Sequence, residues 1–376
     1  MTAIRVLLAP DKFKGCMTAA DAAAQLRCGL LAERPDLLID VLPIADGGDG
    51  TVAAVTAAGF ASIPVETVGP TGEPVETSFA MSLSVAVVEL ASACGMSKLP
   101  GGVPAPMTAS SFGLGLIIKA AVAQGARTVV IGLGGSASTD GGAGMLTALG
   151  ARVLDRGGKP IRQGAIGLQD VDLLDLTGLD RWLPLVHFVL ASDVDSPLLG
   201  ETGAAAVFGP QKGMTVAQVV EAETNLCRWA EVVRRCIPGA DPMAAGGGAA
   251  GGTGFAAQSV LASATRSGAA VVLDLIDFNR HLAVCDLVVT GEGSLDAQTL
   301  RGKGPAAVAA AGQAGGKPVF AVAGSIALTQ RQLAAAGFAG GIALMDYQTD
   351  RAHCIADAGP LLQRAGRQLA RHHLDG

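Results

Sequence analysis

Chemistry on a charged small molecule requires fixed cations, carboxylates that hold metal or accept a proton, and a frame that positions them. The residues that could do this sit in a few short blocks rich in glycine and proline. Carboxylates occur as Asp46 and Asp49 in "PIADGGDGT", Asp193 and Asp195 in "ASDVDSP", and Glu292 and Asp296 in "TGEGSLD". Hard oxygen ligands of this kind suit Mg²⁺, and an Asp suits the base for a substrate hydroxyl. One such Asp alone reads as a helix cap or a turn residue. Three pairs, each following an apolar run, fall where open α/β sheets place their ligands. Lys12 and Lys14 in "APDKFKG", Lys212 in "FGPQKG" and Lys303 in "LRGKGP" also lie in Gly/Pro loops rather than on polar helix faces, which favours anion contact.

One glycine-rich block is "VVIGLGGSASTDGGAG", residues 129–144, a β-branched run that passes straight into glycines mixed with Ser136, Ser138, Thr139 and Asp140. Glycine pays the largest backbone entropy on ordering, so its density here implies bare backbone held close to something. Two ligands compete for it. Gly132, Gly134 and Ala137 match G-x-G-x-x-A after a strand, and Asp155 ends the next strand about 20 residues on, the dinucleotide fingerprint. The hydroxyl-rich insert is closer to loops that wrap polyphosphate with amides at the positive end of a helix. "GLGGSA" also partly resembles the phosphate loop of galactokinase-type small-metabolite kinases, with Thr128 where those carry proline.

Several chemistries are excluded. No G-x-x-x-x-G-K-[ST] occurs, so there is no Walker A site. His187, His281, His353, His372 and His373 have no ligand spacing, and no G-x-S-x-G elbow is present. A second glycine run, "AAGGGAAGGTGF" (244–255), contains G-x-G-x-x-G but follows no strand, and reads equally as a flexible linker.

The positioning elements follow from pattern. Half of the 376 residues are hydrophobic and only 3% aromatic, so Ala, Val, Leu and Ile must fill the core, as in parallel strands covered by Ala-rich helices. Strands are expected at 4–10, 38–46, 84–91, 128–134, 187–194, 270–275, 286–291, 318–324 and 341–346. Helices are expected near 18–32, with Thr18 as N-cap and Asp21 as its partner, and near 51–59, 113–124, 142–150, 215–235, 254–266, 304–314, 329–336 and 357–373. Hairpin-like material surrounds "VGPTGEPVETSFAM", and "LDRGGKPI" reads as a turn between short strands. The fold class is α/β with two α/β domains: a Rossmann-like parallel-sheet domain formed by both chain ends, and an inserted mixed-sheet domain. Boundaries are expected at 1–65 with 284–376, the inserted domain spanning 66–283 and 107–150 a further candidate for the first. A net charge of -6, without basic runs, argues against nucleic acid. No apolar stretch suits a membrane helix, and seven cysteines without CxxC pairs suit a reduced cytoplasm.

Taken together, "APDKFKG", "PIADGGDGT", "GPTGEPV", "GLGGSASTDGGAGML", "SDVDSPLLG", "GAAAVFGPQKGM" and "TGEGSLDAQTLRGKGP" resemble the bacterial type I glycerate kinases, over about Arg5 to Lys317. The resemblance implies ATP- and Mg²⁺-dependent phosphorylation of D-glycerate, usually to 2-phosphoglycerate, by two α/β domains with the substrate between them. With the loop chemistry above, it puts Gly134, Gly135, Ser136, Ser138, Asp140 and Lys212 on the nucleotide. Asp11, Lys14, Asp46, Asp49 and Arg301 fall on the glycerate side. Asp193, Lys14 and Lys303 become catalytic candidates, and Asp193 and Glu292 metal ligands. Ser294 stands where the family usually has Arg, so Arg301 or Lys303 has to compensate for a missing cation. A 3-phosphoglycerate-forming kinase, an NAD-dependent hydroxy-acid dehydrogenase and a ligand-binding sensor remain open on the sequence, with a homodimer as a candidate assembly.

Overall fold

The structure, a computed structural model, describes residues 4–179 and 183–374, and the side chains of Leu183 and Arg301 lie outside the described set. The strands in chain order are β1 (Arg5–Pro10), β2 (Leu38–Val41), β3 (Ala61–Val68), β4 (Pro74–Ser82) and β5 (Val85–Glu89). They continue as β6 (Thr128–Gly132), β7 (Arg152–Asp155), β8 (Val171–Asp175), β9 (His187–Ala191) and β10 (Ala264–Arg266). The last are β11 (Leu287–Gly291), β12 (Ser294–Leu295), β13 (Val319–Ala323), β14 (Ser325–Ile326) and β15 (Gly340–Ala343).

Two compact units result. Unit 1 comprises residues 1–46, 53–58 and 269–376, and unit 2 comprises 47–52 and 59–268. Unit 1 holds an all-parallel sheet in the order β15-β13-β11-β1-β2, built from both chain ends. Its central strands are apolar on both faces, with Val6, Leu8, Val289 and Val322 fully buried on one and Leu7, Val288 and Ala321 on the other, the pattern that helices on each side demand. Each such side chain contributes about 1.5–3 kcal/mol. The helices Ala19–Glu33 and Ala358–His373 approach closely because Gly29 and Gly366 face one another's partners: a Cβ on Gly29 would lie 2.1 Å from the Gln363 carbonyl oxygen. Thr18 caps the first of these helices, accepting the Asp21 amide while its hydroxyl donates to the Asp21 carboxylate.

Unit 2 holds a mixed six-stranded sheet, β10-β9-β6-β5-β4-β3, in which β3, β4 and β5 pair antiparallel and β5, β6, β9 and β10 pair parallel. The β3–β4 hairpin turns through Gly69–Gly72, closed by the Gly69 amide on Glu73 O at 2.7 Å. The fold class is therefore α/β, with a Rossmann-like parallel unit from both ends and a mixed-sheet unit inserted. No helix among the described residues is long and apolar enough to cross a membrane.

Three sequence expectations are corrected. Residues 270–275 are not a strand but part of the helix Gly268–Leu275; the buried positions Ala269, Val272 and Ile276 recur at helical spacing, which a short apolar run conceals. The helix expected at 254–266 runs Ala249–Val260, and its tail is instead the three-residue strand β10. The dinucleotide fingerprint lacks its frame. Strand β7 does not lie beside β6 but pairs antiparallel with β8 in a separate two-stranded sheet. The Asp155 carboxylate accepts the Gly157 and Lys159 amides at 2.8 and 2.9 Å, a turn-closing role. A parallel βαβ unit ending in a ribose-binding acid is absent there, so the dehydrogenase reading is not favoured.

Candidate active site

In unit 2 the parallel strands end level with one another: Glu89 pairs with Gly132, Gly132 with Ala191, and Ala191 with Arg266. Loops leaving that edge carry the chemistry. After β6 the chain makes a tight passage through Gly134 and the exposed Gly135, whose φ of +72° is left-handed. Ser136, Ser138 and Thr139 are buried behind them. Ser136 Oγ bonds Ser138 O at 3.1 Å and lies 3.3 Å from Ser138 Oγ. Among the described residues, the amides of Gly134, Gly135, Ser136 and Ser138 donate to no protein acceptor. A run of such donors after a strand is the backbone provision of an anion site.

Lys212 closes the loop from the far side. Its ammonium is buried, donates to Ser138 O, and lies 3.3 Å from Thr139 Oγ1. Burial pulls its pKa down to about 8 against the opposing pull of Asp140. Asp140 is itself enclosed: Oδ2 accepts from Ser111 N at 2.8 Å, Ser111 Oγ at 2.9 Å and Gly144 N at 3.2 Å, while Oδ1 accepts Gly142 N at 3.2 Å. It thus fixes the turn into the helix Ala143–Leu149.

The second glycine run is no flexible linker. A Cβ on Gly251 would meet Ser138 O at 2.1 Å and Lys212 Nζ at 2.9 Å, and one on Gly252 would meet Gly141 Cα at 2.8 Å. The "DGGDG" segment packs the same way on the other side. A Cβ on Gly132 would meet Gly47 O, and one on Gly134 would meet Gly48 Cα, both at 2.6 Å. Asp49 is exposed beside this contact. On the neighbouring strand end, Asp193 is exposed, with Oδ1 accepting Gly268 N at 3.0 Å.

Unit 1 gathers a second cluster where β1 and β11 end together, Pro10 pairing with Gly291. Asp11 is buried, and that burial raises its carboxyl to about 7; Lys12 opposes the rise, while Asp46 and Glu292 add to it. The Lys12 amide donates to Asp11 Oδ1 at 2.6 Å and Lys12 Nζ stands 3.9 Å from Asp46 Oδ1. Burial also raises Glu292, against a hydroxyl bond from Thr299 at 2.5 Å and the charge of Lys303. Lys303 is half-buried at the N-cap of the helix Gly304–Ala314, and Lys14 is exposed in the loop after β1. Ser294 Oγ faces Ser325 Oγ at 3.1 Å. The side chain of Arg301 lies outside the described residues.

The structure thus groups Asp11, Asp46, Glu292 and Lys303 in unit 1. Gly134, Gly135, Ser136, Ser138, Asp140 and Lys212 line one loop in unit 2, with Asp49 against that loop and Asp193 on the adjacent strand end. Sequence reasoning missed Thr299, the Ser110–Ser111 pair that supports Asp140, and Glu89, whose carboxylate accepts the Val52 amide at 2.5 Å. Glu89 had a visible signal, a lone acid ending an apolar run.

The chain is similar to known proteins along most of its length. The glycerate kinase family matches residues 6–374. A glycerate kinase of Bacillus subtilis (strain 168) is 36% identical over 370 residues, covering 98% of this chain and 97% of its own length. A glycerate 2-kinase of Escherichia coli (strain K12) is 38% identical over 326 residues, 86% of each chain. A crystal structure of a protein from Salmonella typhimurium LT2 superposes with a TM-score of 0.84 at 36% identity, covering 98% of both chains. The strand-end clusters therefore stand on a scaffold shared along almost its whole length with these proteins, and the chain belongs to the glycerate kinase family.

Proposed function

We propose that this kinase transfers the γ-phosphate of ATP to D-glycerate, giving 2-phospho-D-glycerate and ADP, with Mg²⁺. One observation carries the nucleotide assignment: the loop after β6 presents the amides of Gly134, Gly135, Ser136 and Ser138 without protein acceptors among the described residues. Those four residues, with Asp140 shaping the loop and Lys212 supplying charge behind it, take the ATP phosphates. Lys212 steadies the loop carbonyl that its ammonium holds, and it adds the cation that phosphate binding needs.

Mg²⁺ takes one or two carboxylates and fills its other positions with phosphate oxygens and water. Among the described residues no three His, Cys, Asp or Glu converge as a ligand group. The available donors are hard carboxylate oxygens, which fit this ion. Asp193 would hold it in unit 2, and Glu292 is the corresponding carboxylate of unit 1. When bound, the ion neutralises phosphate charge. The protein's own residues do the rest. Asp11, Lys14, Asp46, Asp49 and Arg301 bind and orient glycerate, with Lys14 and Lys303 offsetting acceptor and phosphate charge. Asp193 is also the candidate to accept the proton of the attacking hydroxyl. A reduced cytoplasm suits the seven cysteines, all of them free thiols.

The decisive experiment measures ADP release with D-glycerate, ATP and Mg²⁺, followed by NMR of the product. The expected result is glycerate-dependent ADP with phosphate on the 2-hydroxyl. Phosphate on the 3-hydroxyl would replace the product, and ligand binding without ADP would replace the enzyme by a sensor.

A further inference from the structure

We propose that Glu89 is a positioning residue: its carboxylate fastens the Gly47–Val52 segment to the strand ends of unit 2 and so sets where Asp49 stands on the Gly134 backbone. The inference rests on the proposed reading in that Asp49 serves the bound substrates.

Glu89 ends β5 among Val87, Val88 and Leu90, all fully buried, and is itself only 6% exposed. A carboxylate is not left in such surroundings unless its oxygens are used. Oε1 accepts the Val52 amide at 2.5 Å. That amide belongs to the first turn of the helix Thr51–Ala57, where N–H groups have no intrahelical acceptor and an anion is favoured. Immediately before it, the Thr51 hydroxyl donates to Gly48 O at 2.8 Å and the Thr51 amide to the same oxygen at 3.3 Å. Gly48 to Val52 is therefore a closed turn with one end bound to Glu89.

The other end is held by contact. A Cβ on Gly47 would meet Gly268 Cα at 2.6 Å and Ala191 O at 2.9 Å, and Gly134 has no room for one against Gly48. Asp49 lies between these two fixings, its amide 3.3 Å from where a Gly134 Cβ would stand. The main chain that carries Asp49 cannot shift relative to the Gly134 backbone without releasing either the glycine contact or the Glu89 bond. A cap that merely stabilised a helix would have no reason to couple to Asp49.

Two measurements on the full chain test this. Hydrogen–deuterium exchange compares wild type, Glu89→Gln, which keeps an acceptor oxygen, and Glu89→Ala. Peptides covering 47–52 should exchange about tenfold faster in the Ala variant, one lost bond to a charged acceptor, and near the wild-type rate in the Gln variant. Should Glu89→Ala fail to fold, Glu89→Asp, one methylene too short, takes its place with the same expectation. Unchanged exchange at 47–52 overturns the proposal whatever the enzyme's reaction. The second measurement is a double-mutant cycle on kcat/KM for D-glycerate. Glu89→Ala should lose about 100-fold, the scale of a reacting group displaced by an ångström, and add almost nothing to the loss from Asp49→Asn. Losses that multiply would make Glu89 an independent structural residue and overturn the proposal. If wild type gives no ADP with D-glycerate, the reaction proposed above fails while the exchange result still decides the fastening by Glu89.

Discussion

The two clusters present their polar groups by opposite means. In unit 2 the loop after β6 offers main-chain amides; its side chains Ser136, Ser138 and Asp140, and Lys212 reaching in from the turn Pro210–Lys212, point inward to hold the loop's own shape. In unit 1 the loops after β1 and β11 offer side chains, and burial keeps Asp11 and Glu292 above the ordinary carboxylate range. A backbone cradle carries no titrating group of its own, but it tolerates no added volume. A carboxylate cluster tolerates volume, but its charge depends on pH and on each neighbour. Parallel strand ends supply both kinds of site, because every loop emerges at the same edge.

The sharpest way to break this contrast is at Asp193, the exposed side chain beside the backbone cradle. Asp193→Asn keeps the oxygen that accepts the Gly268 amide, so folding should survive, while turnover falls about 1000-fold, within the range for a lost base. Near-normal kcat with an unchanged melting temperature would remove Asp193 from the mechanism. Next comes Gly134→Ala. The new methyl would stand 2.6 Å from Gly48 Cα, a backbone atom that cannot rotate away. We expect about 100-fold lower kcat/KM for ATP and a stability loss of about 1–3 kcal/mol, measured by kinetics and urea melts. If Gly134→Ala matched wild type in both, backbone shape would not be what the loop contributes.

Two pH measurements sharpen the comparison from the side-chain end. Asp11 is raised to about 7 in the folded chain, so its protonated form is favoured there. Its contribution to stability is whole below the unfolded carboxylate value near 4 and is lost as pH climbs through 7. Wild type should therefore lose stability relative to Asp11→Asn between pH 4 and 7, by chemical denaturation; parallel curves would contradict a buried, protonated acid. Lys212 runs the other way. Its folded value is lowered to about 8, so burial of the ammonium penalises the fold in full below pH 8 and progressively less toward 10.5. Wild type should gain stability relative to Lys212→Met across that upper window, and a flat difference would place the ammonium in water.

Much of this was legible in the sequence. Strand ends were visible because apolar runs stop abruptly at Gly, Asp or Pro, so "IRVLLAP", "TVVIGLG" and "DLVVTG" mark the edges where ligands gather. Residues 270–275 were not, since a run of six apolar or acidic residues carries too little periodicity to separate a strand from a buried helix. Nor was β10, three exposed residues whose strand character comes only from pairing with β9. The glycines announced close approach without naming the partner. Gly132 and Gly134 face "DGG" some 85 residues earlier, and Gly251 faces Ser138 from the run that read as a linker. Contacts of backbone on backbone leave no side-chain signature, so only the fold reveals them.

The smallest expected effect falls on the residue that gave the rival reading its weight. Asp155 sits about 20 residues beyond the glycines, where a dinucleotide site would need an acid for the ribose. Its carboxylate instead closes the turn at Gly157–Lys159 through two backbone bonds, at a strand outside the main sheet. Asp155→Ala should cost about 1 kcal/mol of stability, the scale of one turn-capping side chain. KM for ATP and kcat should stay within about twofold of wild type, since the change touches neither the loop amides nor Lys212. A marked rise in the nucleotide KM with unaltered melting would return Asp155 to the nucleotide, and the amides of Gly134 to Ser138 would then need another partner.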